Sequence, residues 1–259
     1  ENSHPTIRRC KIHSGAYTGV WFYESGQGVL EECEIYNNTL AGIAISESSD
    51  PVIRLCNVYE GQANGILIWK QGQGTIDSCR IYRNVHAGIE IKQEGTPLLQ
   101  RCQIFEGQST GLLVYEGGQG LIEHCEIFEN TYTGIAIKQQ GQPLIRHSII
   151  RDGLDAGVLV FDEGQGLFED CEIFRNEKAA VVIKQQGAPT FRRCQLHSGK
   201  SSGLYCTLSA EGLLEDCEIF EHPNTSVVLL EHANPVLRRC KIHNTQTNGY
   251  FNVSMHSSK

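Results

Sequence analysis

Positive charge is scarce in this chain. Against 30 aspartates and glutamates stand 22 lysines and arginines, a formal net charge of −8 at pH 7. So acidic a surface disfavours the phosphate backbone of nucleic acid and anionic lipid alike, and neither is expected as a partner. Long apolar runs are missing too: no stretch approaches the ~20 residues that cross a bilayer, and the N-terminal residues show no signal-peptide pattern. A helical period is also missing, because glycine, proline and β-branched residues dominate, so almost no helix is expected. The chain begins in mid-pattern without a polar capping element, which suggests a piece of a larger protein.

Cysteine, by contrast, is plentiful and regular. Cys10, Cys33, Cys56, Cys79, Cys102 and Cys125 are followed by Ser148 at the same spacing, and then by Cys171, Cys194, Cys217 and Cys240. A unit of 23 residues is therefore repeated eleven times, from about Pro5 to Ser257. With no linker in between, residues 1–259 read as a single elongated domain. Residues stacked on successive rungs lie about 4.8 Å apart with parallel side chains, whereas a disulfide brings its Cβ atoms to about 3.8 Å with converging vectors. A straight column of thiols cannot build the zinc tetrahedron either. The ladder thus reads as buried, reduced thiols acting as small hydrophobes, which points to a reducing, cytoplasmic compartment and no cofactor.

The columns on either side of the cysteines are apolar at a period of two. One begins Ile7, Leu30, Ile53, Ile76 and Leu99; another begins Ile12, Ile35, Val58 and Ile81; a further segment carries Gly42-Ile43-Ala44-Ile45 and Gly65-Ile66-Leu67-Ile68. That alternation marks short strands with one face buried. A rung of two or three such strands cannot bury its apolar face alone, but stacking in register closes the core and pairs the backbone. The fold expected is all-β, a single-stranded right-handed parallel β-helix of about eleven rungs, roughly 50 Å long at the strand spacing of the sheet. Between strands stand Gly15, Gly61, Gly107, Gly153 and Gly199, alternating with Asn38, Asn84, Asn130 and Asn176, and both residue types suit a left-handed backbone. Another corner alternates Pro5, Pro51 and Pro97 with Gly28, Gly74 and Gly120, so the full period is 46 residues.

Three columns could carry function. Arg8, Glu31, Arg54 and Asp77 open a ladder of alternating charge that fixes rung order. His13, Tyr36, Tyr59, Tyr82, Phe105 and Phe128, with Arg151 next in the column, form a structural ring stack. The outward face of the Gly-Ile-x-Ile strand is different. There Tyr23, Trp69, Tyr115 and Phe161 recur on every second rung, with Lys92, Lys138 and Lys184 between them, and Leu67, Leu113 and Leu159 stand in the adjacent outward column. An aromatic and aliphatic stripe of that length has three readings: it binds a partner or sugar rings, it lies under a segment outside this sequence, or a flat face tolerates the rings through cation–π pairing to the lysines. The seventh rung is irregular: besides Ser148 and Arg151 it places His147 between His124 and Asp170, two imidazoles and a carboxylate that form a candidate metal site.

The half-repeats from Gly118 to Phe128 and from Pro235 to His243 resemble the right-handed β-helix repeats called CASH or PbH1. The resemblance covers essentially the whole chain and is closest to the β-helix domains of F-box proteins and related bacterial repeat proteins. It implies a non-catalytic scaffold or substrate-recognition domain that takes a protein partner on the aromatic/lysine stripe. The same repeat class includes polysaccharide lyases, hydrolases and epimerases, so the alternative it implies is a carbohydrate-binding or carbohydrate-active module. Its enzymes' signatures, aspartates clustered on neighbouring rungs beside a basic residue or an Asp-Pro-His-Glu segment, are not found, and Asp152 and Asp155 read as turn residues around Gly153. The unpaired edges of the end rungs invite end-to-end self-association.

Overall fold

The first rung turns three times. Thr6–Arg8, Lys11–His13 and Val20–Phe22 are strands of three residues each, and only Arg9 and Cys10 separate the first two. Arg9 sits at φ 52°, a left-handed conformation that redirects the chain within one residue, so the second strand joins a different sheet. Ser14 at φ 57° turns the chain again, and Glu24 with Ser25 at φ 51° and 57° closes the rung. The next rung lies on the first at an offset of 23 residues, pairing Ile7 with Leu30, Ile12 with Ile35 and Val20 with Ile43 in parallel. The structure, a computed structural model, describes residues 3–244 and the backbone of residues 250–252; Ser257, where the repeat was expected to end, lies outside the described residues. Across them the pattern yields three parallel sheets of eleven strands and no helix, so none is long and apolar enough to cross a membrane.

The three sheets enclose one core. Ile53, Ile76, Leu99 and Ile122 come from the first sheet, Ile35, Ile81 and Ile127 from the second, and Ile43, Ile66 and Ile89 from the third, all fully buried. The cysteine column lies at the corner between the first two sheets. Its thiols are free and more than hydrophobic filler: Cys56 Sγ shares its hydrogen between the Arg54 carbonyl at 3.3 Å and the Leu30 carbonyl of the rung before at 3.4 Å, so the buried thiol has acceptors at a corner where the Arg54 carbonyl also takes the Glu32 amide at 3.1 Å. Ser148 keeps the arrangement, its hydroxyl donating to the Arg146 carbonyl at 2.7 Å and accepting from the Cys125 amide at 3.1 Å.

The Gly/Asn column corrects a sequence expectation. Neither Gly15 nor Asn38 has positive φ; the left-handed position is the residue before, occupied by Ser14, Asn37, Glu60 and Arg83. The asparagines point inward instead. Asn84 Oδ1 accepts from the Gly61 amide at 3.0 Å and its Nδ2 donates to the Val58 carbonyl at 3.1 Å. Glycine alternates with asparagine because a Cβ at Gly61 would stand 3.1 Å from Asn84 Oδ1. At the Pro/Gly corner the left-handed argument does hold: Gly74 has φ 109°, and a Cβ there would meet the Pro51 carbonyl oxygen at 3.0 Å.

On the tenth rung His222 stands at the asparagine position. Fully buried, it donates from Nε2 to the Leu196 carbonyl at 3.1 Å. Burial pushes its pKa below the ordinary histidine value. The unfolded chain therefore takes up this proton first as the pH falls, so the stabilisation is complete above about pH 6.5 and is lost between there and the lower folded pKa. His222→Asn, which restores the ladder residue, is expected to flatten that part of the stability profile; urea midpoints at pH 7.5 and 5 for both proteins measure it, the wild type losing more.

Candidate functional site

The outer face of the third sheet is built by the pleat of each short strand. In Ile66–Ile68 the two isoleucines are buried and Leu67 looks outward, with Trp69 following at the corner. Repetition places Leu67, Leu113 and Leu159 in one outward column and Tyr23, Trp69, Lys92, Tyr115, Lys138, Phe161 and Lys184 in the next, all half-buried except the more exposed Tyr23. The face the sequence singled out is thus continuous. Its large residues alternate with small ones: the Trp21 ring, 52% exposed, leans across Ala44 and Ser46 of the second rung to lie 6.0 Å from the Trp69 ring. Its Nε1 donates to Ser46 Oγ at 3.0 Å, and Tyr23 closes the cluster at 5.0 Å.

From the fourth rung on, lysines interleave with rings. Lys92 donates to Tyr115 Oη at 3.0 Å, and Tyr115 donates to Glu90 Oε1 at 2.8 Å. Burial alone would lower the Lys92 pKa, but these bonds and Glu90, 3.0 Å away, hold it above its ordinary value. Lys138 lies over Tyr115 at 5.0 Å and Phe161 at 6.0 Å, and Lys184 over Phe161 at 5.4 Å. Each charge rests on the negative face of a ring. Among the described residues Lys138 and Lys184 pair with no carboxylate, whereas Lys92 pairs with Glu90.

Beside the stripe runs a groove that the sequence did not announce. Its floor is Leu159, Val182 and Tyr205 on the seventh to ninth rungs; Lys184 and Thr207 form one wall, Asp155 and Lys178 the other. The Asp155 carboxylate is taken by Lys178 at 2.8 Å. Val182 and Tyr205 continue the column of Leu159, but the second wall comes from the loop between sheets, whose height no period reveals.

The other columns are structural. Rings from His13 to Phe128 stack at 4.6–5.0 Å, and Arg151 continues the stack with its guanidinium 4.3 Å over Phe128, while bonding Glu126 and Asp152. In the charge ladder Glu31 is gripped by Arg8 and by Arg54, the latter at 2.6 Å. The metal candidate is corrected by its neighbours. His124 and His147 are brought together, but as parallel rings 5.1 Å apart whose nitrogens do not converge. Asp170 is held by Arg193 through two bonds of 2.8 Å. All three stand at left-handed corners, and among the described residues no group of three or more potential ligands is placed to hold a metal.

This geometry agrees with a family model described as "Right handed beta helix region", which matches residues 1–142 and 133–254. The chain belongs to the right-handed β-helix family. Solved right-handed β-helices with the same path include the periplasmic alginate epimerase AlgG, at 9% identity and TM-score 0.71 over 85% of this chain. This chain spans 60% of that epimerase's length. The A-module of a mannuronan C-5 epimerase from Azotobacter vinelandii superimposes on 98% of this chain and 91% of its own, at 8% identity and TM-score 0.57. Pectate lyase Pel9A matches at 12% identity and TM-score 0.57, over 89% of this chain and 73% of its own. At such identities the likeness is one of fold. No curated protein sequence matches the chain.

Within this β-helix, Lys138→Ala should remove the cation shared by Tyr115 and Phe161 and destabilise the fold by about 0.5–1 kcal/mol. Lys138→Arg should retain most of that, as urea unfolding of the two variants shows.

Proposed function

We propose that the outer face of the third sheet binds an extended anionic polysaccharide and does not cleave it. The observation that carries this reading is the pair Lys138 and Lys184, seated on Tyr115 and Phe161 with no carboxylate partner. They recur at two rungs, about 9.6 Å, along a face that also offers rings against which the apolar faces of sugars pack. In a chain of net charge −8, two unpartnered lysines beside a groove are a local exception suited to carboxylated sugars. The fold neighbours named for alginate and pectate support that choice of class. Binding is preferred to turnover because the carboxylate in the groove, Asp155, is occupied by Lys178.

A second reading, docking of a protein segment, rests on Trp21 and Tyr23, each about half exposed at the first rung. Affinity electrophoresis and calorimetry with polygalacturonate and alginate, against a neutral glucan, separate the two. Retardation by the acidic polymers is expected, weakening steeply with salt. Lys138→Ala with Lys184→Ala should lower the affinity at least ~10-fold, about 1.4 kcal/mol, while Leu55→Ala, exposed at the corner between the first two sheets, leaves it unchanged. No retardation, or equal retardation by the neutral glucan, would dismiss the polysaccharide. Binding to a protein that is lost in Trp21→Ala would support the second reading.

A further inference from the structure

The outer face of the third sheet changes chemistry along its length. On the sixth to eighth rungs it offers Lys138 and Lys184, seated on rings and, among the described residues, without a carboxylate partner. On the fourth and fifth rungs Glu90 cancels the charge of Lys92, 3.0 Å away, and also accepts from Tyr115 Oη at 2.8 Å and Asn64 Nδ2 at 2.9 Å. On the first three rungs the two outward columns hold no charged residue: they read Trp21, Ala44 and Leu67, and Tyr23, Ser46 and Trp69. The neighbouring loop follows the same course. The column that gives the groove Asp155 and Lys178 supplies Tyr17 and Leu40 on the first two rungs, where the Leu40 amide bonds the Tyr17 carbonyl as that of Lys178 bonds Asp155. By this register Tyr17, 77% exposed, stands beside Trp21 as Asp155 stands beside Leu159.

Trp21 is exposed and yet fixed. Its Nε1 is bonded to Ser46 Oγ at 3.0 Å, and its ring lies 6.0 Å from that of Trp69 at an interplanar angle of 23°. A ring held in place beforehand loses little conformational freedom when a ligand covers it. The negative face of such a ring repels a carboxylate and suits the C–H face of an uncharged sugar. We infer that the face is a two-part site for a uronic-acid polymer of uneven charge, in which a carboxylated stretch on Lys138 and Lys184 runs into uncharged or esterified sugars stacked on Trp21, Trp69 and Tyr17. This rests on the polysaccharide reading of the face and adds the charge pattern of the ligand. Trp21 and Lys184 are seven rungs apart, about 34 Å, so one long chain crosses both parts and a short acidic oligomer occupies only the cationic one. A sugar chain is favoured over a protein segment at Trp21 because the aromatic part continues along the same two columns into the lysine part.

The test is calorimetry of the intact chain with polygalacturonate in three forms, unesterified, methyl-esterified in blocks and esterified at random to the same degree, beside a short unesterified oligomer. The block polymer should bind about 3- to 10-fold more tightly than the unesterified one, the scale of a ring contact. That advantage should persist as salt is raised, since it owes nothing to charge. Random esterification, which breaks up the carboxylated stretch, should lose it. Trp21→Ala with Tyr17→Ala should erase the advantage and leave the affinity for the short oligomer unchanged, whereas Lys138→Ala with Lys184→Ala should weaken the short oligomer and the block polymer alike. Trp21→Phe, which keeps a ring, should retain part of the advantage, and circular dichroism shows that each variant is folded. Equal binding of the block and unesterified polymers, or an advantage that survives the loss of Trp21 and Tyr17, would overturn the two-part site and leave the polysaccharide reading standing. Failure of every acidic form to bind would remove that reading and this inference together.

Discussion

Each residue in this molecule stands on the residue 23 positions earlier, and that contact is the constraint from which everything else follows. In a parallel stack at about 4.8 Å the same column repeats along the whole molecule, so a side chain too large for its own rung must find space on the next. The chain meets this by alternation. Gly61 leaves room for Asn84, Gly74 for Pro51, and Ala44 with Ser46 for Trp21 leaning toward Trp69. Charge obeys the same rule, with Glu31 shared by arginines above and below. The natural unit is consequently a pair of rungs, and the lysine and aromatic face inherits that period of 46 residues.

Departures from the pattern show what each column is for. Ser148 occupies a cysteine position, keeps the bond to the carbonyl two residues before and accepts from the Cys125 amide, so what the column needs for folding is a small polar group that bonds the corner carbonyl. Arg151 replaces a ring and still stacks, because a guanidinium is as flat as one and can rest on Phe128. His222 replaces asparagine, keeps the bond to the rung before, and brings with it a group that titrates. Each substitution preserves the stacking contact and alters only the chemistry offered.

The period made most of this legible in advance. Eleven rungs, the buried isoleucine columns, the charge ladder, the ring stack and the outward stripe all follow from aligning the chain on its cysteines. What was misread was misread for one reason: a period locates a column but not the direction in which its side chains point. Asn38 and Asn84 suit a left-handed corner on residue type alone, yet the corner falls one residue earlier, on Asn37 and Arg83, and the inward asparagine is explained by the amide it bonds. His124, His147 and Asp170 align in sequence, but the two imidazoles stack face to face, and Asp170 already has Arg193. The groove was invisible because its second wall, Asp155 and Lys178, comes from a loop whose height is set by packing.

If the pair of rungs is the unit, excising one whole pair should leave a native stack. Deleting residues 75–120 joins Gly74 to Leu121 and sets Gly61 beneath Asn130, as it formerly lay beneath Asn84. Deleting residues 75–97 instead sets Gly61 beneath Gly107, so that an amide loses its acceptor and two glycines meet without filling the space, for about 1–3 kcal/mol from the amide alone. Urea unfolding of the two deletion proteins is the direct measurement. The 46-residue deletion should remain cooperative, with an m-value reduced in proportion to its lost surface, and the 23-residue deletion should be the less stable of the two despite retaining more rungs. Equal stability, or a more stable 23-residue deletion, would contradict the paired-rung account.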